Sequence, residues 1–440
     1  MTPQQAANRR WHGQRCGSAG ADSGPDMPPI DTLPSKWRGI QKETMRIPTD
    51  CGLATLRPAD GNGLKWFLRL VFLLCFSATA VAAEVRFYLG TYTDNPLSQG
   101  IYFGTLDTRT GRISPLELAA KATSPNYLAL SPDGKFLYAS TLAGDGSVAA
   151  FRVEDGGHLA KLNEISSGGG ARHLSVDATG RNVLAANYTG GSAACFRIQP
   201  DGSVGERAAF VPLTGSGPNP QRQTHPYIHS IYVDAANRFA YACDLGTDHV
   251  WLFDFEAQTG NLKLVEAGSG KMPPGSGTRH LAISPDGRFA YANGEMGLNV
   301  TAFARDPGNG ALTALQTVST LPDGAATNEV TAAEIFCHPS GKWLYVSNRD
   351  VSNRGRDSIA VYAIAVDGRL KRMQDAPAQV KVPRGFGIDP SGQWLIVAGQ
   401  QDNRIVVLKI DAATGQLTPT SQSATVGAPI CVIFAATEKQ

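Results

Sequence analysis

A strand–turn–strand unit recurs six times along the chain, and this repeat constrains the fold more than any other feature. The copies read PNYLALSPDGKFLYAS, RHLSVDATGRNVLAANY, HSIYVDAANRFAYACD, GTRHLAISPDGRFAYANGE, EIFCHPSGKWLYVSNR and RGFGIDPSGQWLIVAGQ. Their tight-turn residues are Gly134, Gly180, Asn237, Gly287, Gly341 and Gly392, so successive copies lie 46 to 57 residues apart. This period is typical of the blades of a β-propeller.

Each copy continues beyond its turn with further strand signals. A third, alternating strand follows at 299–304 and 404–410, for example, and a weaker fourth strand at 311–318. Apolar runs separated by turns, without helical periodicity, predict an all-β fold. At the two ends of the chain, 85–91 and 100–106 resemble second and third strands, and 428–434 resembles a first strand. We therefore predict a seven-bladed β-propeller in which both termini close one blade, because closure removes free sheet edges.

The segment before the first strand has the layout of a secretory signal peptide. Lys65 and Arg69 precede an apolar run at 70–76, and small residues at 77–83 lead to Glu84. This order of charged, apolar and small residues predicts cleavage near Ala83 and export to the periplasm or the medium. A retained membrane anchor is the alternative, but the run is short for a span, and we expect no stable membrane insertion after cleavage.

Residues 1–63 are rich in proline, glycine and polar residues and show no hydrophobic periodicity. We expect no packed structure in this segment. It is a long prelude to a signal peptide, so an alternative is that translation starts downstream, at Met45 or at a non-standard codon for Leu64. The predicted division is therefore a disordered or untranslated 1–63, a signal peptide at 64–83 and a propeller at 84–440.

Removal of residues 1–83 changes the charge of the chain. The full chain has 40 Lys and Arg against 38 Asp and Glu, and residues 1–83 hold ten and six of these. The remaining 30 and 32 give a net charge near −2 without a basic stripe, so we expect no nucleic-acid partner.

Four cysteines remain after residue 83, in four different predicted blades: Cys195, Cys243, Cys337 and Cys431. Because they lack Cys-x-x-Cys spacing, they indicate buried small side chains and no metal site.

Charged residues gather at one end of the predicted strands. Because adjacent strands of a blade are antiparallel, the start of the first strand lies beside the end of the second. The starts carry Asn126, Arg172, His173, His229, Arg279, His280, Glu334 and Arg384, and the ends carry Asn187, Tyr188, Asp244, Glu295, Asn348, Arg349 and Gln400. Since first strands line the channel of a propeller, we expect these side chains to meet around one opening, whereas the opposite face carries ordinary turns.

In their order and blade positions, these segments resemble the seven-bladed propeller lactonases. That family includes a bacterial 6-phosphogluconolactonase type and the fungal carboxy-muconate lactonizing enzyme. The resemblance covers residues 85–436 and rests on FYLGTYT, SPNYLALSPDGKFLYA, NYTGGS, GTRHLA, NGEM, TAAEI, SNRD, PRGFGIDPSGQWLIVAGQ and GAPICVIF. It implies hydrolysis of a small-molecule sugar lactone, formally 6-phosphogluconolactone, without a cofactor. A signal peptide is unexpected for an enzyme of a cytoplasmic pathway, so an unphosphorylated aldonolactone is the alternative substrate.

The resemblance also implies which residues act. The family's functional positions fall on His229, Arg279, Glu295 and Arg349, which we take as catalytic. We assign substrate binding to four further residues of the same predicted face: Arg384, Gln400, Glu334 and Asn187.

These residue types suit lactone hydrolysis, which needs an activated water, donors for the developing oxyanion and a proton for the departing alkoxide. His229 can act as base or acid near neutrality, and Glu295 is the other candidate base. Arg279 and Arg349 can stabilise the oxyanion or hold a carboxylate or phosphate.

Several alternatives stand beside this interpretation. Arg279 and Arg384 can be clamps between blades, and His229 can bond only a backbone carbonyl. The spacing of His225 and His229 imitates a helical metal pair, although Pro226 and the strand context oppose ligation. The whole chain can be an exported, non-catalytic binding module, or a muconate-type lactonizing enzyme on the same scaffold. Its oligomeric state does not follow from the sequence.

Overall fold

The computed structural model describes residues 84–435, and their strands form seven antiparallel sheets. Six sheets have four strands, and one has five because its outermost strand is split. The predicted all-β, seven-bladed propeller is thereby confirmed. The predicted signal peptide and residues 1–63 lie outside the described residues. Within residues 84–435, no helix is long and apolar enough to cross a membrane.

The strands in chain order are β1 (Glu84–Thr91), β2 (Gly100–Asp107), β3 (Glu117–Lys121), β4 (Tyr127–Leu130), β5 (Phe136–Thr141), β6 (Ser147–Val153), β7 (Leu159–Ser166), β8 (Ala171–Val176), β9 (Asn182–Asn187), β10 (Ser192–Ile198), β11 (Val204–Pro212), β12 (Ile228–Val233), β13 (Phe239–Asp244), β14 (His249–Glu256), β15 (Asn261–Leu264), β16 (Gly270–Lys271), β17 (Thr278–Ile283), β18 (Phe289–Gly294), β19 (Asn299–Arg305), β20 (Leu312–Ser319), β21 (Val330–Cys337), β22 (Trp343–Asp350), β23 (Ser358–Ile364), β24 (Leu370–Pro377), β25 (Pro383–Ile388), β26 (Trp394–Gly399), β27 (Arg404–Ile410), β28 (Leu417–Thr425) and β29 (Pro429–Phe434). Two 3-10 helices, Asp155–Gly157 and Glu266–Gly268, interrupt this series.

Both termini of the described chain close one blade, as predicted. Its strand order is β29-β1-β2-β3, with Phe87 opposite Phe434 and Gly90 opposite Cys431. The other six blades are simple meanders that begin at β4, β8, β12, β17, β21 and β25. In the blade that begins at β12, β15 and β16 both pair with β14, and the helix Glu266–Gly268 separates them.

Apolar packing joins each blade to the next. Residues 84–435 contain seven buried clusters, and each combines side chains of two neighbouring blades, for example Leu184 with Trp251 and Tyr345 with Phe386. Full burial of one such side chain stabilises a fold by roughly 1.5–3 kcal/mol. The ring of blades is therefore held by junctions of similar construction, including the two junctions beside the terminal blade.

A repeated tyrosine contact reinforces four of these junctions. A buried tyrosine on the second strand of one blade donates its hydroxyl to a glycine carbonyl before the fourth strand of the next, at 2.8–3.1 Å. The pairs are Tyr88–Gly157, Tyr138–Gly202, Tyr241–Gly310 and Tyr345–Gly415. At Gly202, φ is +87°, and a Cβ would lie 2.1 Å from the ring of Phe136, so this turn requires glycine.

A β-bulge interrupts the pairing at the start of the innermost strand in five of the meander blades. In each case two residues on the inner strand oppose one on its neighbour. The extra residue is Arg172 in β8, His229 in β12, Arg279 in β17 and Arg384 in β25, and the bulge of β21 contains Ala333 and Glu334. Bulges redirect side chains at the rims of barrels and next to active sites. Here each of the five bulges contains a titratable residue that lines a cavity on one face.

Candidate active site

The bulge residues meet residues from the ends of the second strands around a group of cavities. One cavity of about 230 Å³ is lined by Tyr92, Arg172, Tyr188, Arg222, His229, Glu295 and Arg384. A second, of about 630 Å³, shares Tyr92 and Arg384 with the first and adds Arg349 and Gln400. A third space, of about 10 Å³, is lined by residues that include His229, Arg279, His280 and Glu334. We call these the central cavity, the side cavity and the inner space.

Glu295 is the hub of the charged residues. It follows β18, is 8% exposed, and accepts from Arg222 Nη2 at 2.9 Å on Oε1. Its Oε2 accepts from Arg279 Nε at 3.0 Å and lies 3.3 Å from Arg349 Nη2. Burial alone would raise the pKa of this carboxyl, but the guanidinium groups of Arg349, Arg279 and Arg222 outweigh burial and lower it to about 2. Glu295 is therefore an anion whose oxygens are both engaged.

Arg279 joins two blades through its buried guanidinium. Besides Glu295 of its own blade, it contacts the next blade, where its Nη1 donates to the carbonyl of Ala333 at 2.6 Å. Its side chain is 3% exposed. Burial, followed by the positive charge of Arg384, lowers its pKa. These are the contacts of an inter-blade clamp.

Arg349 also points inward, against the same carboxylate. It is 6% exposed, and its Nη2 donates to the carbonyl of Ala332 at 3.3 Å. Burial lowers its pKa to about 9, although Glu295 acts in the opposite direction, so the group stays charged at neutral pH. Its Nε is buried and bonds no described residue. Arg349 also lines the side cavity.

His229 lies in the wall of the central cavity and the inner space. It is 6% exposed, and its ring packs edge-on against Tyr188 with 5.6 Å between centroids. Burial, then the charges of Arg279, His280 and other neighbours, lowers its pKa well below the usual range, so the ring is neutral at pH 7. Its Nδ1 is buried without a partner among the described residues. The backbone-carbonyl alternative is therefore not observed.

Arg384 differs from Arg279 and Arg349 because it forms no ion pair with a described residue. Its guanidinium lies over the ring of Tyr92, 5.5 Å from the centroid, and it is partly exposed. Arg172, on the other side of the central cavity, lies 6.0 Å from the centroid of Tyr188 and is partly exposed too. Both cations are available to a ligand, and the clamp alternative does not hold for Arg384.

The predicted substrate-binding residues occupy different depths. Gln400 follows β26, is partly exposed in the side cavity, and its amide side chain bonds no described residue. Glu334 is 3% exposed and lies beneath the central cavity, with its Oε1 2.6 Å from His280 Nδ1. Gln400 is thus accessible to a ligand from outside, whereas Glu334 faces the inner space.

Asn187 does not face a cavity surface, because it is fully buried at the end of β9. Its Nδ2 donates to the carbonyl of Ser167 at 3.1 Å and to Ser192 Oγ at 3.0 Å. Asn348, at the equivalent position of β22, makes the same kind of pair with Thr320 and Ser358. This shared arrangement indicates a structural role, and the structure gives the substrate-binding assignment of Asn187 no support.

Arg222 is a member of the site that the sequence reasoning missed. It lies in the connection 213–227 between β11 and β12, and its side chain is 45% exposed. The next residue, Gln223, is buried and anchors the connection by donating to the carbonyl of Leu245 at 2.9 Å and to Asp248 Oδ1 at 2.8 Å. The length of the connection 213–227 was the sequence signal that could have pointed to Arg222. By comparison, only residues 167–170 join β7 to β8.

The excess of positive charge defines what the site can accommodate. Five guanidinium groups line the three cavities, against the carboxyl groups of Asp94, Glu295 and the buried Glu334. No group of three His, Cys, Asp or Glu in residues 84–435 is arranged to hold a metal ion. His225, the other half of the suggested metal pair, is exposed and packs on Tyr227 at 4.0 Å. A cationic, partly desolvated cavity favours an anionic ligand or a transition state that develops negative charge.

Comparison with known proteins gives consistent relatives. A family model described as "Lactonase, 7-bladed beta-propeller" matches residues 86–434. A 6-phosphogluconolactonase of Bacillus subtilis is 34% identical over 351 residues, covering 79% of this chain and 97% of that protein. One of Formosa agariphila is 32% identical, covering 76% and 95%. Among solved structures, the periplasmic gluconolactonase PpgL of Pseudomonas aeruginosa is 28% identical, with a TM-score of 0.74 over 80% of this chain and 99% of that one. The chain therefore belongs to the seven-bladed β-propeller lactonase family.

Proposed function

We propose that this protein hydrolyses a sugar lactone in the central cavity, with His229 as general base and Arg384 as the principal oxyanion donor. The observation that carries the proposal is that a neutral histidine and an arginine without an ion pair to a described residue line the same cavity. The names of the Bacillus and Formosa relatives and of PpgL support the same reaction class.

The reaction needs a base for the attacking water, a hydrogen-bond donor for the carbonyl oxygen and a proton for the departing ring oxygen. A water molecule attacks the lactone carbonyl carbon while a ring nitrogen of His229 accepts its proton. Negative charge moves to the carbonyl oxygen, where Arg384 donates, with Arg172 across the cavity as a second cation. The bond between the carbonyl carbon and the ring oxygen then breaks. The ring oxygen takes the proton from His229, and the product is the open hydroxy acid.

Glu295 is the weaker candidate for the base. Each of its oxygens accepts from a guanidinium group, so neither is free to take a proton from the attacking water. Its contacts fit a different task, which is to hold Arg222, Arg279 and Arg349 in place. Arg279 and Arg349 then contribute positive charge behind the reacting groups.

The substrate that we propose is an unphosphorylated aldonolactone met outside the cytoplasm. The predicted signal peptide and the periplasmic location in the name of the relative PpgL support this choice. The arginine residues do not select for phosphate, because Arg349 and Arg384 can hold a phosphate or a carboxylate equally well. We expect kcat/KM for 6-phosphogluconolactone to be no higher than for gluconolactone. A hundredfold preference for the phosphorylated lactone, with the leader intact in protein from the native cells, would overturn the choice.

An arginine variant tests the site itself. Arg384→Ala should lower kcat/KM for gluconolactone by about a hundredfold or more, the usual effect of losing one oxyanion donor. Arg288→Ala is the matched control, because Arg288 is exposed on a turn at the opposite ends of the strands, where it contacts Asp286 and the ring of Phe289. Unchanged hydrolysis in Arg384→Ala, measured by titration of the released acid, would remove Arg384 from the mechanism.

A further inference from the structure

Beneath the central cavity lies a buried group of titratable side chains that the proposed mechanism does not use. Glu334 of β21 and His280 of β17 are each buried, and they form a contact of 2.6 Å between Oε1 and Nδ1. Both line the inner space together with His229. At about 10 Å³, this space is about the size of one water molecule.

Aromatic contacts connect this pair to the proposed base. The rings of His280 and His229 lie 5.1 Å apart between centroids. On its other side, His280 lies 5.4 Å from His173, whose ring packs on Tyr127 at 3.8 Å. One hydrogen bond and one ring contact therefore separate the carboxyl of Glu334 from His229.

The surroundings of Glu334 set its charge. The titratable and charged groups that face it are His280 and Arg279 of β17, Arg384 of β25, Tyr127 of β4, Tyr232 of β12 and Cys431 of β29. Burial raises the pKa of Glu334 to about 8, against the lowering effect of Arg279 and Arg384. Burial and Arg279 lower the pKa of His280 well below its usual range. At pH 7 the pair is thus a hydrogen bond between neutral groups.

We propose that Glu334, acting through His280, is a positioning residue that sets the basicity of His229. When Glu334 ionises, it places a negative charge one ring away from the proposed base, and this charge favours the protonated form of His229. Glu334 itself exchanges no proton with the substrate. The role rests on the proposed function, because it concerns the base of that reaction.

The consequence is a second rise in the pH profile of hydrolysis. The first rise, at low pH, is the deprotonation of His229. The second follows ionisation of Glu334 near pH 8, and it appears in kcat, because His229 becomes a stronger base, with little change in KM. A charge at this separation is worth on the order of one pKa unit, so the second rise is about tenfold or less.

The experiment compares three variants of the full chain between pH 5.5 and 9, with spontaneous lactone hydrolysis subtracted. Glu334→Gln should abolish the second rise, and Glu334→Asp should keep it at a shifted pH. Glu117→Gln is the control, because Glu117 and His158 form an exposed Glu–His contact of 3.7 Å far from the channel. A second rise that survives in Glu334→Gln, or one that is lost equally in the control, overturns the proposal.

A melting profile reports the same ionisation without substrate. A carboxyl whose folded pKa is raised makes the fold lose stability as pH increases from about 4.5, its unfolded value, through about 8. Glu334→Gln should remove that loss, so its Tm should fall less than the wild-type Tm across this interval. Equal slopes would overturn the proposal. Hydrolysis without a second rise overturns this role alone, whereas complete lack of hydrolysis overturns the proposed function as well.

Discussion

Two alanine variants should separate the structural from the chemical part of the site. Arg279→Ala removes one of the guanidinium groups that hold Glu295 and the contact with the Ala333 carbonyl in the next blade. His229→Ala removes a ring that bonds no described residue through its buried Nδ1. The two residues lie in neighbouring blades at equivalent bulges, so a difference between the variants reflects their contacts rather than their position in the fold.

The expected magnitudes follow from these contacts. Loss of one partner from a buried ion pair costs about 3–5 kcal/mol, and we take the lower end for Arg279→Ala. The reason is that Glu295 keeps Arg222 and Arg349, and the Ala333 carbonyl keeps a donor in Asn293 Nδ2 at 2.9 Å. A cost of about 3 kcal/mol lowers Tm by roughly 4 °C in a domain of this size, because the entropy of unfolding is about 2.1 cal/mol/K per residue. His229→Ala should cost about 1 kcal/mol or less.

The two variants should rank differently in activity from how they rank in stability. His229→Ala should lower kcat by about 10²–10⁴, the usual contribution of a general base, in a protein that melts almost like the wild type. Arg279→Ala should lose both stability and activity. Calorimetry and acid titration on the same preparations measure the two effects. If His229→Ala retains activity and melts as low as Arg279→Ala, then His229 is a packing residue and the base has been assigned wrongly.

Two further changes probe the carboxylate hub. Glu295→Gln should destabilise the fold at pH 7, and the difference from wild type should shrink as pH falls from about 4.5 towards 2. A depressed pKa stabilises the fold only above that range, so urea titrations at pH 3 and pH 7 measure the effect. Arg222→Ala should change the free energy of unfolding by less than about 1 kcal/mol because Arg222 is half exposed, yet raise KM for the lactone because it lines the central cavity; equal KM values in variant and wild type would contradict this.

The blade count was predictable because the repeated turn occupies the same place in the six meander blades. Strand limits follow closely too: the predicted strand at 404–410 is β27, and the predicted closing strand at 428–434 differs from β29 by one residue. The alternating apolar residues of a strand predict which of its side chains are buried, and these buried side chains form the junctions between blades. Closure by both termini followed because incomplete sets of strands at the two ends complement each other.

The site was only partly predictable, since its depth depends on pairing between strands. The bulges at Arg172, His229, Arg279 and Arg384 are properties of the strand register, and no residue type marks them in the sequence. Polar and charged residues at matched blade positions therefore fall into two classes, those that line a cavity and those with a structural role, and only their contacts separate the two. Asn187 belongs to the structural class, as its buried amide shows.

Arg222 marks the other limit of sequence reasoning. It reaches Glu295 from a connection without periodicity, 73 residues earlier in the chain. Its placement depends on Gln223, whose buried amide anchors the connection by donating to one backbone carbonyl and to one side-chain carboxylate. A prediction based on strands therefore misses site residues that lie in long connections on the charged face.

The central claim is tested most directly by the rate at which the purified wild-type chain hydrolyses glucono-1,5-lactone over the spontaneous reaction at neutral pH. If the account is right, hydrolysis is saturable, kcat lies in the ordinary enzymatic range of about 1–1000 s⁻¹, and His229→Ala abolishes most of it. A rate equal to the spontaneous one with both gluconolactone and 6-phosphogluconolactone, from protein that is folded by calorimetry, would contradict the claim that this site is a lactonase.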